Sequence, residues 1–192
     1  MKQVTYYSSS DRPGFDLHDA LRDVCSQLEP ESYLEIGVHG GGSLTTVLTF
    51  AAPKRLTLAD IWDPAYCGHG LRGHEHIVEL LAQLAYVGEV RYLDGDSKQT
   101  LPTLAEDDRY DMILVDGDHS PAGALADLTA AWPHLEPGGV LLMDDIRHPS
   151  FPGLLGIFRR FRDSVGATEV PQTLGAPSNA GVLLKPSAPA NN

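Results

Sequence analysis

Cysteine is nearly absent from this chain. Its 192 residues include only Cys25 and Cys67, far apart and in no paired motif, so no disulfide framework is implied. Long apolar runs are missing too: nothing approaches the roughly 20 residues of a membrane span. The opening stretch, "MKQVTYYSSSDRPG", has no apolar core of the kind a signal peptide carries. Positive charge is in short supply, with 14 Lys and Arg against 26 Asp and Glu and a formal net charge of −12. That balance argues against a nucleic-acid partner, which needs basic patches to replace phosphate counterions. The expectation is a cytoplasmic protein whose partners are small molecules or protein chains, with no nucleic acid and no membrane.

What is present is an ordinary globular composition, 42% hydrophobic and 21% charged, in a length suited to one domain. Short continuous apolar runs alternate with helical spacing. Strands are expected at "SYLEIGV", "RLTLAD", "EVRYLDG" and "YDMILVDGD", then a turn and strand at "EPGGVLLMDD". Between them lie helices at "SLTTVLTFAA", "HIVELLAQLAYV", "KQTLPTLAE" and "SPAGALADLTAAW", the last with Ser120 as N-cap and Pro121 at its first position. "FPGLLGIFRRFRDS" reads as an amphipathic helix, "ATEV" as a weak strand and "NAGVLLKP" as the last strand. Near the start, "FDLHDALRDVCSQL" reads as a helix packed on the sheet edge. This alternation predicts a single Rossmann-like, doubly wound α/β domain, with a mostly parallel sheet, helices on both faces and an antiparallel last strand. The domain spans 31–186, after an N-terminal segment and helix over 1–30 and before a disordered tail, 187–192.

The glycine-rich loop after the first strand, "YLEIGVHGGGSL", spaces its residues Glu35-x-Gly37-x-x-x-Gly41-x-Ser43. That is not the Gly-x-Gly-x-x-Gly of a dinucleotide fold, and no Walker lysine is present. Glycines at these points let a ligand lie against backbone without meeting a Cβ. In an open parallel sheet, ligands bind beyond the carboxyl ends of the strands. Here every one of those ends carries acid: Glu35, Asp60, Asp94 with Asp96, Asp116, and Asp144 with Asp145. One such acid is commonly a turn or helix cap. A row of them repels itself unless it holds hydroxyls or cations.

At this point the chain resembles the class I S-adenosylmethionine-dependent methyltransferases, from about Tyr33 to Lys185. The carriers of the resemblance are the "ExGxxxGxS" loop, Asp60 at the second strand end and "LEPGGVLLMDD" after the fourth helix. The resemblance implies that Glu35, Gly37, Gly41 and Ser43 belong to the methionine end of the cofactor site. It implies further that Asp60 accepts the ribose hydroxyls, that Asp96 and Ser97 flank the adenine, and that Asp116 is among the cofactor-binding residues. For Asp96 the plain alternative is a helix cap.

Asp116 and the pair Asp144 and Asp145 end two neighbouring strands, and three converging carboxylates form a hard-oxygen site suited to Mg²⁺, Ca²⁺ or Mn²⁺. This arrangement resembles the metal-dependent O-methyltransferases, both the catechol type and the antibiotic sugar type. The resemblance implies a catalytic base three positions after the first aspartate, which here is His119; a histidine there is the mark of the sugar type. The plain alternative for His119 is a hydrogen-bonding residue before the Ser120 cap. The loop "WDPAYCGHGLRGHEH" suggests a cover over the cleft lined by Trp62, Tyr66 and His69; Cys67, His69, His74 and His76 match no standard zinc spacing. His148 reads as a second base, a substrate contact or a surface residue, and "FRRFR" as solvated surface. The resemblance also implies a homodimer.

The expected function is S-adenosylmethionine- and divalent-cation-dependent methylation of a hydroxyl on a small molecule. A metal-independent methyltransferase, a nicotinamide-dependent oxidoreductase and a non-catalytic cofactor-binding protein remain open.

Overall fold

The structure, a computed structural model, describes residues 4–6, 16–63, 73–172 and 177–187. Seven strands form one sheet in the order β3-β2-β1-β4-β5-β7-β6. They are β1 (Ser32–Ile36), β2 (Arg55–Asp60), β3 (Glu89–Asp94), β4 (Tyr110–Val115), β5 (Leu135–Met143), β6 (Thr168–Glu169) and β7 (Gly181–Leu184). The first five run parallel, and β7 lies antiparallel to both β5 and β6. The expected Rossmann-like architecture is what the chain adopts, including the antiparallel last strand. Strand order reverses at β1, which puts the crevice between the ends of β1 and β4.

Side chains alternate across the sheet, so each central strand feeds two cores. Tyr33, Met112, Leu114, Val140 and Leu142 face one side, under helices α1 (Asp16–Leu28), α2 (Gly42–Phe50) and α3 (His74–Gln83). Leu34, Ile36, Ile113, Val115, Leu141 and Met143 face the other, under α5 (Pro121–Ala131) and α6 (Leu154–Val165). Strands covered on both faces explain why "MILV" and "VLLM" are continuously apolar.

Three local expectations change. Helix α1 does not sit at the sheet edge. Leu17, Leu21, Val24 and Cys25 are buried against the sheet face with Tyr33, Met112 and Val182. A face rich in Leu and Val buries more apolar area there than an edge offers. The segment "KQTLPTLAE" is not one helix: α4 (Ser97–Thr100) gives way to a 3-10 turn at Leu101–Thr103. Pro102 has no N–H to continue the α ladder. Strand β5 absorbs the expected "EPGG" turn, beginning at Leu135, and the extra residues appear as a register shift opposite Tyr110 and Met112.

Arg159 and Arg160 on α6 are exposed while Phe158 and Phe161 are buried, so "FRRFR" is a solvated face, as expected. Tyr66, Cys67, His69 and most of the tail, 188–192, lie outside the described residues. No helix among the described residues is long and apolar enough to cross a membrane.

Candidate active site

The glycine loop leaves β1 through Gly37, whose φ of 86° is left-handed. A Cβ there would lie 2.0 Å from the main-chain oxygen of Asp116. The close neighbour is therefore the end of β4, and only glycine lets the two strand ends meet. Gly41, also left-handed at φ 77°, lies against α3: a Cβ would fall 2.4 Å from Leu80 Cδ2. This glycine serves helix packing and does not line the cleft.

Asp60 ties the loop to β2. Its Oδ2 accepts the main-chain N–H groups of Val38 and His39, both at 2.8 Å, and its Oδ1 accepts that of Trp62 at 2.6 Å. A carboxylate has about four acceptor positions, so one on Oδ1 is left for a ligand hydroxyl. Glu35 lies beneath the loop, fully buried, with Ser43 Oγ donating to its Oε1 and no partner at Oε2. Burial, reinforced by the charges of Asp116 and Asp60, raises its pKa to about 8 despite the bond from Ser43. Asp96 is the N-cap of α4, accepting Lys98 N at 2.9 Å. Ser97 donates to Asp127 Oδ1 at 2.6 Å, a buried aspartate of α5.

The ends of β4 and β5 are different in kind. The main-chain N–H of Asp144 bonds Val115 O at 3.1 Å, which brings the two acidic ends side by side. His119 Nε2 stands between the carboxylates, 3.3 Å from Asp116 Oδ1 and 3.2 Å from Asp145 Oδ2. Burial opposes a charge on the imidazole, but the two carboxylates outweigh it and hold its pKa at about 10. His119 is therefore an imidazolium in this structure at neutral pH, not the near-neutral base that an unperturbed histidine would be. Asp116 is pushed above the usual carboxylate range by burial. Asp144, 8% exposed and with Oδ1 unpartnered, is pushed well above it by burial and by the charges of Asp116 and Asp145. Asp145 moves the other way: burial would raise it, but His119, His148 and Asn179 hold it low.

Both groups open into one cleft of about 590 Å³. Gly37, Asp60, Asp96, Ser97 and Asp116 line one part of it, and His119, Asp144, Asp145, His148 and Phe151 the other. Glu35, Gly41 and Ser43 do not reach it. Among the described residues, no three His, Cys, Asp or Glu side chains are already arranged to hold a metal ion. A larger hollow of about 800 Å³ opens at the opposite, amino edge of the sheet. There Asp111 Oδ2 already accepts Glu31 N, Ser32 N and Ser32 Oγ at 2.9 Å, and Lys54 pairs with Glu31 at 2.8 Å. Those groups are occupied with one another.

Three side chains with no place in the sequence-based reading belong to this region, together with Asp94 from the row of strand-end acids. Phe151 stacks on His119, ring centroids 4.6 Å apart. Asn179 donates to Asp145 Oδ1 at 2.7 Å. Asp127 holds Ser97, and Asp94 Oδ1 accepts Trp62 Nε1 at 2.7 Å and lies 3.1 Å from His74 Nδ1. Of the three, only Phe151, in the loop directly after the acidic pair, had a local signal. The others meet the site through strand pairing or helix packing.

Comparison with solved structures shows where this fold recurs. The O-methyltransferase TomG from Streptomyces achromogenes, involved in tomaymycin synthesis and solved with S-adenosylmethionine, is 24% identical, with a TM-score of 0.62 over 88% of this chain and 78% of its own. CalS11, a TDP-rhamnose 3'-O-methyltransferase of calicheamicin biosynthesis, is 21% identical, with a TM-score of 0.65 over 88% and 78%. The N-methyltransferase NodS from Bradyrhizobium japonicum, solved with S-adenosylhomocysteine, is 17% identical, with a TM-score of 0.60 over 92% and 90%. No curated protein matches the chain. A family model described as a methyltransferase domain matches residues 34–146, from β1 through the acidic end of β5. The chain belongs to this methyltransferase-domain family and carries the fold of the S-adenosylmethionine-dependent methyltransferases.

Proposed function

We propose that the chain is an S-adenosylmethionine-dependent O-methyltransferase acting on a hydroxyl of a small molecule, and that it works with a divalent cation. The observation that carries this reading is the single cleft in which the glycine-loop side and the Asp116–His119–Asp144–Asp145 cluster face each other. Gly37 and the loop backbone would lie along the methionine part of the cofactor, with Glu35 and Ser43 supporting the loop from below. Asp60 would take one ribose hydroxyl on its remaining Oδ1 position, and Ser97 would stand at the adenine. When bound, S-adenosylmethionine supplies an electrophilic methyl group: a bond from the acceptor oxygen to the methyl carbon forms as the sulfur–methyl bond breaks.

Asp116, Asp144 and Asp145 fit a hard cation, being oxygen donors with an unpartnered buried oxygen at Asp144 Oδ1. The chemistry a cation would supply there is acidification and orientation of the acceptor hydroxyl. His119 would receive the hydroxyl proton at Nε2. It can do so only when neutral, and the two carboxylates keep it charged. Positive charge placed on those carboxylates from elsewhere returns the imidazole toward its ordinary pKa of about 6.5. A cation on the aspartates and a basic His119 are thus one requirement. TomG and CalS11 are O-methyltransferases, which agrees with an oxygen acceptor, while NodS is an N-methyltransferase.

One observation favours a second reading. His119 already stands between Asp116 and Asp145 as a counter-charge, as it would in an enzyme that uses no metal. A single experiment separates the two. Methyl-labelled S-adenosylmethionine is incubated with catechol and sugar acceptors, with Mg²⁺ and with a chelator. Transfer to a hydroxyl that stops on chelation and returns with Mg²⁺ supports the cation-dependent enzyme. Transfer that survives chelation supports the metal-free one. Failure to bind the cofactor at all overturns both.

A further inference from the structure

Asp145 has a backbone φ of 56°, a left-handed conformation that is uncommon for a residue with a side chain. One end of its carboxylate is bonded and the other faces the ring: Oδ1 accepts Asn179 Nδ2 at 2.7 Å, and Oδ2 lies 3.2 Å from His119 Nε2. Asn179 is 34 residues further along the chain, in the turn before β7, and is 6% exposed. A second bond fixes which end of its amide faces Asp145, because Asn179 Oδ1 accepts Arg147 N at 3.0 Å. Its main-chain oxygen also accepts Ile146 N at 2.8 Å. Three bonds from one residue therefore clamp 145–147, the stretch that carries the left-handed aspartate.

The turn that presents Asn179 is held from behind by Asp16, the first residue of α1. Asp16 Oδ2 accepts Ser178 Oγ at 2.7 Å, Ala180 N at 3.2 Å and the main-chain N–H of Asn179. Asp16 is 2% exposed, and its Oδ1 has no partner. A buried carboxylate with an idle oxygen is destabilising in itself. The three bonds into the 178–180 turn are what this carboxylate provides in return.

We propose that Asn179 is a positioning residue for the candidate centre: anchored through its turn by Asp16, it aims the Asp145 carboxylate at His119. The geometric part stands by itself, while its consequence for rate rests on the reading of His119 and Asp145 given above. Outer partners of this kind typically change activity or metal affinity roughly 10–100-fold when removed.

The test is Asn179→Ala in the full chain, which removes the donor facing Asp145 and adds no charge beside it. The readout is the ring nitrogen signals of His119 in protein labelled with ¹⁵N-histidine, assigned with His119→Ala and compared with Asp145→Asn. Expected is displacement of the His119 signals in the same direction as in Asp145→Asn, with unchanged affinity for S-adenosylmethionine. Transfer should fall roughly 10–100-fold in kcat, with KM for the cofactor unchanged. His119 signals at the wild-type position would overturn the proposal. Asn179→Ser, whose shorter side chain withdraws the donor from Asp145 without adding charge, is the second variant if Asn179→Ala fails to fold, and it is read in the same way. For the anchor, Asp16→Asn keeps an acceptor oxygen and should preserve the His119 signals, whereas Asp16→Ala should displace them; identical spectra from the two would overturn the role of Asp16. Displaced signals in a protein that transfers no methyl would uphold the positioning and overturn the O-methyltransferase reading.

Discussion

On the β1–β2 side of the cleft the Asp60 carboxylate accepts three main-chain N–H groups, whereas on the β4–β5 side Asp144 keeps a buried oxygen with no partner at all. The first side is scaffolding: Asp60 braces the loop and Asp96 caps a helix. The second side sets one imidazole between two carboxylates with a third, Asp144, beside them, and the pKa of each of the four is shifted. Groups that satisfy one another can seat a ligand but do no chemistry on it. Groups held in unresolved repulsion have reason to bind charge or move protons. Glu35 is the exception on the first side, and it lies below the loop, outside the cleft.

The comparison breaks most visibly at His119. His119→Ala should lower methyl transfer by about 10²–10⁴-fold, the usual contribution of a positioned acid or base. The fold should remain, since its ring packs on Phe151 and not in either core. Single-turnover transfer with a saturating cofactor measures it, and a loss in cofactor affinity instead of rate would assign His119 to the wrong half. Next in size is Gly37→Ala. The new Cβ would meet Asp116 O at 2.0 Å in a left-handed backbone, a strain expected to cost about 3 kcal/mol or more in chemical denaturation. A cost near zero would show that the ends of β1 and β4 can part, and the scaffold side would be softer than its bonding implies.

Much of this contrast was legible in the sequence, and the part that was not has a common cause. Asp116, Asp144 and Asp145 could be placed together because β4 and β5 are adjacent parallel strands, whose ends coincide once the apolar runs are aligned. The glycine spacing located the loop for the same reason. It did not say that Gly37 answers the approach of Asp116 or that Gly41 answers Leu80, since those neighbours come from other elements. Asn179 and Asp127 were invisible for this reason: each is one polar residue among many until the sheet and α5 close over it. The protonation of His119 was hidden likewise, because it is set by what surrounds the ring and not by the ring itself.

A smaller effect sharpens the one exception on the scaffold side. The Glu35 pKa stands at about 8 in the folded protein against an ordinary value of 4.5, chiefly through burial. The folded state then holds a proton that the unfolded chain has released. Its contribution to stability is complete below the unfolded value and is lost as pH rises through about 8. Across that window the loss is up to about 1.4 kcal/mol per pH unit from this one group. Glu35→Gln cannot lose the proton, so its stability should fall less steeply between pH 6 and pH 8 in denaturant titrations. Parallel curves would mean that Glu35 is ionised within the fold and that its charge is met by groups around Ser43.

The smallest effect concerns Asp96, where the cap and the adenine compete for one carboxylate. Its Oδ1 accepts Lys98 N at 2.9 Å, and the side chain is 45% exposed. Serine is as good an N-cap as aspartate, so Asp96→Ser should change stability by less than about 0.5 kcal/mol. The same substitution removes a carboxylate acceptor from the cleft without disturbing α4. If capping is the whole of its role, calorimetric affinity for S-adenosylmethionine stays where it was. A weaker affinity at unchanged stability would move Asp96 out of the scaffold, giving the cofactor side a carboxylate that both caps and binds.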